Sequence, residues 1–281
     1  MDELLEPPVI VEDAADPRLS DFVDLADPEL RRRTETERGF FIAESPLVIR
    51  RLLASGRRVR SVLVTPAQYD ALSDFLSDFL SDVPSDVLSG APPRRFAVYV
   101  ASEDILRRVV GFRLHRGAVA SADRWPLPDL TSVLNGARRV AVLQKINDHE
   151  NLGVLFRSAA ALGVDAVLLD EECSDPLYRR CVRVSIGHVL RIPWTRVASI
   201  EDVGRAGFAT FAFTPSTPST PLDAVDWPER AALLFGAEGP GLSEAWLSAA
   251  DARVRIDMRP GSDSLNVATA AAIAFFAASR P

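Results

Sequence analysis

The chain has little of several things that would announce a function. Of its 281 residues only two are cysteines, Cys173 and Cys181. That is too few for a disulfide framework or a four-ligand zinc site, so no metal is expected. No apolar run reaches the ~18 residues that a membrane-spanning helix needs. The first residues, Met1-Asp2-Glu3-Leu4-Leu5-Glu6, lack the basic-then-apolar order of a secretory signal. The expected compartment is the cytoplasm. Lysine is nearly missing as well: Lys145 is the only one, and arginine supplies the other basic side chains. Alanine is abundant too, so the arginine excess reflects a GC-rich genome before it reflects a function.

Charge is unevenly spread. The formal net charge is −7, but residues 1–30 hold ten acids and one arginine. Residues 31–60 hold nine arginines against Glu35, Glu37 and Glu44. Residues 1–28, acidic and spotted with proline, are expected to form a flexible tail. The arginine-rich stretch after them reads either as a solvated helix surface or as a basic face for nucleic acid.

Strands and helices alternate along the rest. A strand over 39–44, a helix opened by Ser45-Pro46, strands at 59–64 and 96–100 and a helix at 103–109 make residues 29–120 a small α/β domain. Residues 121–137 carry two prolines and break the pattern, so they are read as a linker. A second α/β domain follows over 138–281, with strands expected at 140–144, 164–169, 208–213, 231–235 and 253–256. Such alternation predicts a mostly parallel sheet covered on both faces. The closing helix, 265–278, is apolar nearly all round and must be buried in the core or in a subunit interface.

The stretch that organises this domain is Phe235-Gly236-Ala237-Glu238-Gly239-Pro240-Gly241-Leu242-Ser243. Three glycines within six residues imply a backbone that turns sharply or is closely approached. Two more polar loops follow strands and precede helices, at 145–151 and 257–264. Loops at the carboxyl ends of parallel strands meet at one site. Together the three offer Asn147, His149, Glu150 and Asn151, then Glu238, then Ser264 and Asn266. Helix capping is the plain alternative for Asn151 and Ser264. Arg157 sits in an otherwise apolar helix, where a cation should face a carboxylate or a ligand.

These loops carry a resemblance. Asn147-Asp-His-Glu-Asn151-Leu-Gly153 with Arg157, then Phe235 to Ser243, then Ile256-Asp-Met258 with Asp263-Ser264-Leu265-Asn266-Val267 resemble the three motifs of the SpoU/TrmH family, in its order and spacing. Those proteins are S-adenosylmethionine-dependent RNA ribose 2′-O-methyltransferases of the SPOUT class. Residues 30–120, through Glu37 to Ser45, more loosely resemble the L30e-like domain often found before it. The resemblance implies a parallel sheet with a C-terminal trefoil knot and a homodimer packed through the knotted regions. It implies cofactor contacts at the backbone of Gly236, Ile256 and Leu265. It places Arg157, Glu238, Asn151, Ser264 and Asn266 at the reaction site, with RNA, ribosomal before transfer, as substrate. Which group accepts the hydroxyl proton stays open, since a guanidinium keeps its protons. Two positions depart from the family pattern: Glu150 stands where glycine is usual, and Asp257 where proline is. His188 stands where small residues are more usual, and His115 with Arg113 and Arg116 could face RNA. The rival readings are an RNA-binding or ribosome-assembly protein that has lost catalysis, and a phosphate-binding nucleotide enzyme. The glycine loop lacks the Lys-Ser/Thr that the latter requires.

Overall fold

The computed structural model describes residues 7–82, 96–261 and 264–279. It divides into two compact units. The first runs to Trp125 and takes back the later segment Leu177–Arg183; the second holds Pro126–Pro176 and the chain from Val184 onward.

The first unit is built on a five-stranded sheet. Its strands are β1 (Val9–Ile10), β2 (Phe40–Glu44), β3 (Val59–Val64), β4 (Ala97–Val100) and β5 (Ala118–Asp123), in the order β1-β4-β3-β5-β2. β1, β4 and β3 run parallel, while β5 is antiparallel to both its neighbours. The helices are α1 (Pro28–Glu37), α2 (Pro46–Ala54), α3 (Pro66–Asp82) and α4 (Glu103–Val110). Two expectations are corrected here. Residues 7–28 are no tail: Val9–Ile10 pairs with β4, and Leu19, Phe22 and Leu25 are buried in the core of this unit. Residues 1–6 lie outside the described chain. Nor does a linker begin at 121, because β5 runs through Asp123 and fills the sheet between β3 and β2.

The second unit is built on seven strands, every pair parallel. They are β6 (Arg139–Gln144), β7 (Ala166–Leu169), β8 (Trp194–Arg196), β9 (Ala209–Phe213), β10 (Thr220–Pro221), β11 (Ala231–Gly236) and β12 (Ala252–Arg255). Their order is β10-β12-β9-β11-β6-β7-β8. The connecting helices include α5 (Leu130–Leu134), α6 (His149–Ala161), α7 (Arg179–Val184), α8 (Ile200–Arg205), α9 (Glu244–Ala249) and α10 (Val267–Ala278), although most of α7 belongs to the first unit. The apolar runs of β6, β7 and β11 are buried end to end, as central parallel strands with both faces covered must be. The proline-rich stretch 214–221 ends in a short strand, since β10 pairs with β12. α10 packs on α6 and β11 through Ala268, Ala271, Ala274, Phe275 and Ala278. Its Ile273 and Phe276 are 38% and 48% exposed. Among the described residues no helix is long and apolar enough to cross a membrane.

Candidate active site

Because every strand of the second sheet runs the same way, all the strand-to-helix loops open on one edge. β6 and β11 are adjacent and in register, with Gly236 opposite Gln144, so the first two motif loops leave the sheet side by side. Gln144 joins them. Its Nε2 donates to Ser243 Oγ at 3.0 Å, and its Oε1 accepts from the Ser243 amide at 2.7 Å. Sequence reading passed over Gln144; the signal available was a polar residue at the end of an apolar strand.

The first loop is held from below. The Asp170 carboxylate accepts from the Lys145 amide at 3.1 Å. Cys173 Sγ accepts from the Ile146 amide at 3.2 Å and donates to the Leu143 carbonyl at 3.3 Å. Burial pushes this thiol up to about 12, so it stays protonated in its place. Asp148 caps α6 by accepting from the amides of Glu150 and Asn151. That frees the Asn151 side chain, which is no cap.

The glycine loop closes on itself through the Gly241 amide and the Ala237 carbonyl at 3.0 Å. Gly239 and Gly241 have φ of 90° and 71°, the left-handed region that glycine enters without penalty. Gly236 is constrained differently from expectation. A Cβ there would lie 2.1 Å from the Gly241 carbonyl carbon and 2.2 Å from the Leu242 nitrogen. The close approach that needs glycine is by the loop's own backbone.

Three of the five expected reaction-site side chains meet. The Asn266 Nδ2 donates to Asn151 Oδ1 at 2.8 Å and to Glu238 Oε1 at 2.6 Å. Its Oδ1 caps α10 by accepting from the amides of Ala268 and Thr269. The cap fixes which end of the amide faces which way, because only the Nδ2 end can serve the two oxygens opposite. One residue from each of the three motif loops is thus joined through a single amide. Ser264, also expected here, lines the adjoining cleft and caps nothing.

That cleft encloses about 480 Å³. Gly236, Ile256 and Leu265, the three expected cofactor positions, all line it, with Glu238 and Asn266 at its polar side and Phe213, Phe235 and Met258 among its apolar walls. Its size and lining suit a small organic ligand.

Arg157 is not brought to this cluster. It is exposed, and no carboxylate meets it among the described residues. It lies six residues beyond Asn151 on α6, about 120° round the helix and about 9 Å along it. Glu238 is instead held by Asn266.

The arginine-rich stretch of the first unit is not a free basic face either. Arg31 is buried against Glu35, Arg38 pairs with Asp21 at 2.7 Å, and Arg58 pairs with Asp123 at 3.0 Å. Arg60 lies 3.5 Å from both Asp21 and Asp123. By contrast Arg113 and Arg116 are exposed and have no such partner among the described residues. Both line a polar groove with Thr65, Gln68 and Arg107. Arg116 sits on a left-handed backbone at φ 68°. The His115 side chain lies outside what the structure describes.

Comparison with known proteins agrees with the geometry. The model of the SpoU rRNA Methylase family matches residues 138–276. An uncharacterized tRNA/rRNA methyltransferase of Mycobacterium tuberculosis is 46% identical over 275 residues, covering 95% of this chain and 90% of the relative. A 23S rRNA (guanosine-2′-O-)-methyltransferase, RlmB of Acinetobacter baylyi, is 29% identical over 68% of this chain and 81% of its own length. In fold, the chain is similar to an AdoMet-bound rRNA methyltransferase from Sinorhizobium meliloti, with a TM-score of 0.78 at 24% identity, covering 96% of this chain and 97% of that one.

Proposed function

The chain belongs to the SpoU rRNA Methylase family, and we propose that it transfers a methyl group from S-adenosylmethionine to a ribose 2′-hydroxyl of ribosomal RNA. The observation that carries this reading is the joining of Asn151 to Glu238 and Asn266, the latter two lining the cleft. The cleft suits the cofactor. It offers apolar walls for a base and for the carbons around a sulfonium, and Gly236, Ile256 and Leu265 all border it. When bound, the cofactor supplies an electrophilic methyl.

The protein's own part is placement. The Asn266 amide holds Glu238 and Asn151 in fixed positions, so their remaining polar atoms meet the ribose already oriented. Such preorganisation can supply several kcal/mol. Arg157 has no carboxylate beside it among the described residues, so it orients the RNA phosphate next to the reacting ribose and offsets developing negative charge. Ser264 positions the sugar from the cleft wall.

Three further parts belong to the same reading. The chain after β12 forms a trefoil knot, supported by β12 lying across β9 from β11 while α10 returns to β11 and α6. Two copies pair through the face of α6 and α10 that exposes Val154, Ile273 and Phe276, an apolar set better covered than wet. The first unit, L30e-like in its mixed sheet and alternating helices, grips RNA through Arg113 and Arg116.

The test is incubation with radiolabelled S-adenosylmethionine and separate pools of ribosomal and transfer RNA, followed by alkaline hydrolysis. A 2′-O-methyl blocks cleavage at one linkage and so marks the site. Label in ribosomal RNA at an alkali-resistant position is expected. Label on a base, or in transfer RNA alone, overturns the reading.

A further inference from the structure

Asp257 stands where the resemblance led us to expect proline, adding a negative charge beside an RNA site. In the structure that charge is paired. Arg255 Nε donates to Asp257 Oδ1 at 2.7 Å. The Nη1 of the same guanidinium donates to the Ser219 carbonyl. Ser219 belongs to the excursion between β9 and β10, and both ends of that excursion are fastened to β12. At its start the Thr214 amide donates to the Val254 carbonyl at 2.9 Å. At its end Thr220 and Pro221 pair with Val254 and Arg255. Ser219 is the last residue before β10, so Arg255 ties Asp257 to the fastened end of the excursion.

The two segments that Arg255 joins both line the cleft. Thr214 and Pro215 come from the excursion, Ile256 and Met258 from the chain on either side of Asp257. We infer that Arg255, braced by Asp257 and Ser219, is a positioning residue that fixes the Ile256–Met258 wall of the cofactor cleft. This rests on reading the cleft as the S-adenosylmethionine site. The guanidinium fork suits the task, because one rigid plane reaches two acceptors at once, which an ammonium cannot do. Arg253, two residues earlier on β12, is the natural control. It pairs with Glu244 at 3.1 Å and with the Leu247 carbonyl, so it supports α9 and no cleft segment.

The experiment is calorimetric titration of the full chain with S-adenosylmethionine, without RNA. The Arg255→Ala variant is expected to bind about tenfold more weakly, because the cleft wall loses both of its side-chain tethers and no longer waits in the binding position. Arg255→Lys recovers part of that loss, and Asp257→Ala, which removes only the brace, weakens binding in the same direction. Arg253→Ala binds as the wild type does, though its melting temperature falls. In methylation assays, the Arg255→Ala defect appears in KM for the cofactor, while kcat at saturating cofactor and KM for RNA hold. Wild-type affinity in both Arg255→Ala and Asp257→Ala overturns the inference, as does an equal loss in Arg253→Ala. If the wild type itself binds no cofactor, the reading of the cleft falls and the inference with it.

Discussion

Replacing Gly236 with alanine adds one methyl group where the glycine loop's own backbone already closes in. Its Cβ would sit 2.1 Å from the Gly241 carbonyl carbon, 2.2 Å from the Leu242 nitrogen and 2.4 Å from the Gly241 oxygen. Non-bonded carbons rest at about 3.5 Å, so the glycine loop has to move by more than about 1 Å. All three neighbours are backbone, and no side chain can swing aside. Overpacking of this kind costs about 1–3 kcal/mol. Losing the hydrogen bond from Gly241 to Ala237 adds about 1 kcal/mol. At about 2–4 °C per kcal/mol, the melting temperature of this unit drops by roughly 5–15 °C. Gly204, in α8, gives the opposite sign: nothing lies within 4 Å of its added Cβ. There alanine stabilises the helix by about 0.5–1 kcal/mol. Thermal melts and urea titrations of the two variants, each with S-adenosylmethionine calorimetry, make the comparison. A Gly236→Ala protein that melts with the wild type and binds cofactor normally would refute the reasoning.

The Asn266→Asp variant keeps the cap on α10 but turns a carboxylate on Glu238; its melt is expected to hold within about 1 kcal/mol while single-turnover methylation falls about 10–100-fold. Asn266→Ala loses the cap as well and melts lower, so a pair of variants with equal melts and equal rates would count against the amide's double role. Arg113→Ala with Arg116→Ala raises KM for RNA and flattens its salt dependence by about two counterions, leaving cofactor affinity alone, whereas the paired Arg58→Ala changes neither; gel-shift titrations across salt concentrations distinguish them. Cys173 and Cys181, both buried, stay silent to a thiol reagent at pH 8 until the protein is denatured. The raised Cys173 pKa also has a sign: the folded state holds its proton up to about 12, so the associated stability is complete below the unfolded thiol's ordinary value of 9.0 and is lost as pH rises from there to about 12. A urea series over that window checks it against Cys173→Ser.

Much of the fold is legible from local pattern, and its misreadings have physical causes. β5 escaped notice because Ala118-Val-Ala-Ser-Ala-Asp123 has Val119 as its one strong strand former among small residues and an aspartate. It is a strand because β2 and β3 lie on either side of it, a fact of partners far away in sequence. The acidic start looked unfoldable by composition, yet Asp21 is an acceptor in a buried place: Ser121 Oγ donates to it at 2.7 Å, and Arg38 pairs with its other oxygen. The same pairing removes much of the charge that seemed to mark residues 31–60 as a basic face. Charge counts along a chain register Arg38, Arg58 and Arg60 but not Asp21 and Asp123, 17 or more positions away, that pair with them.

The site was more legible than the fold because its parts are short loops with one fixed direction. Once the sheet is all parallel, loops after β6, β11 and β12 must open on one edge, and their polar residues converge without any further information. What sequence could not give is which atoms of that set touch. Arg157 and Asn151 share one motif, so it is natural to place them together. A helix turns 100° per residue, however, and six residues separate them by about 120° of face. The carboxylate nearest in role, Glu238, is already bonded to the Asn266 amide at 2.6 Å. A guanidinium on an exposed face with no carboxylate beside it among the described residues is well matched to a phosphate brought by the RNA. On the function proposed above, the cluster would be complete before substrate arrives, and Arg157 would join the reaction only when RNA does.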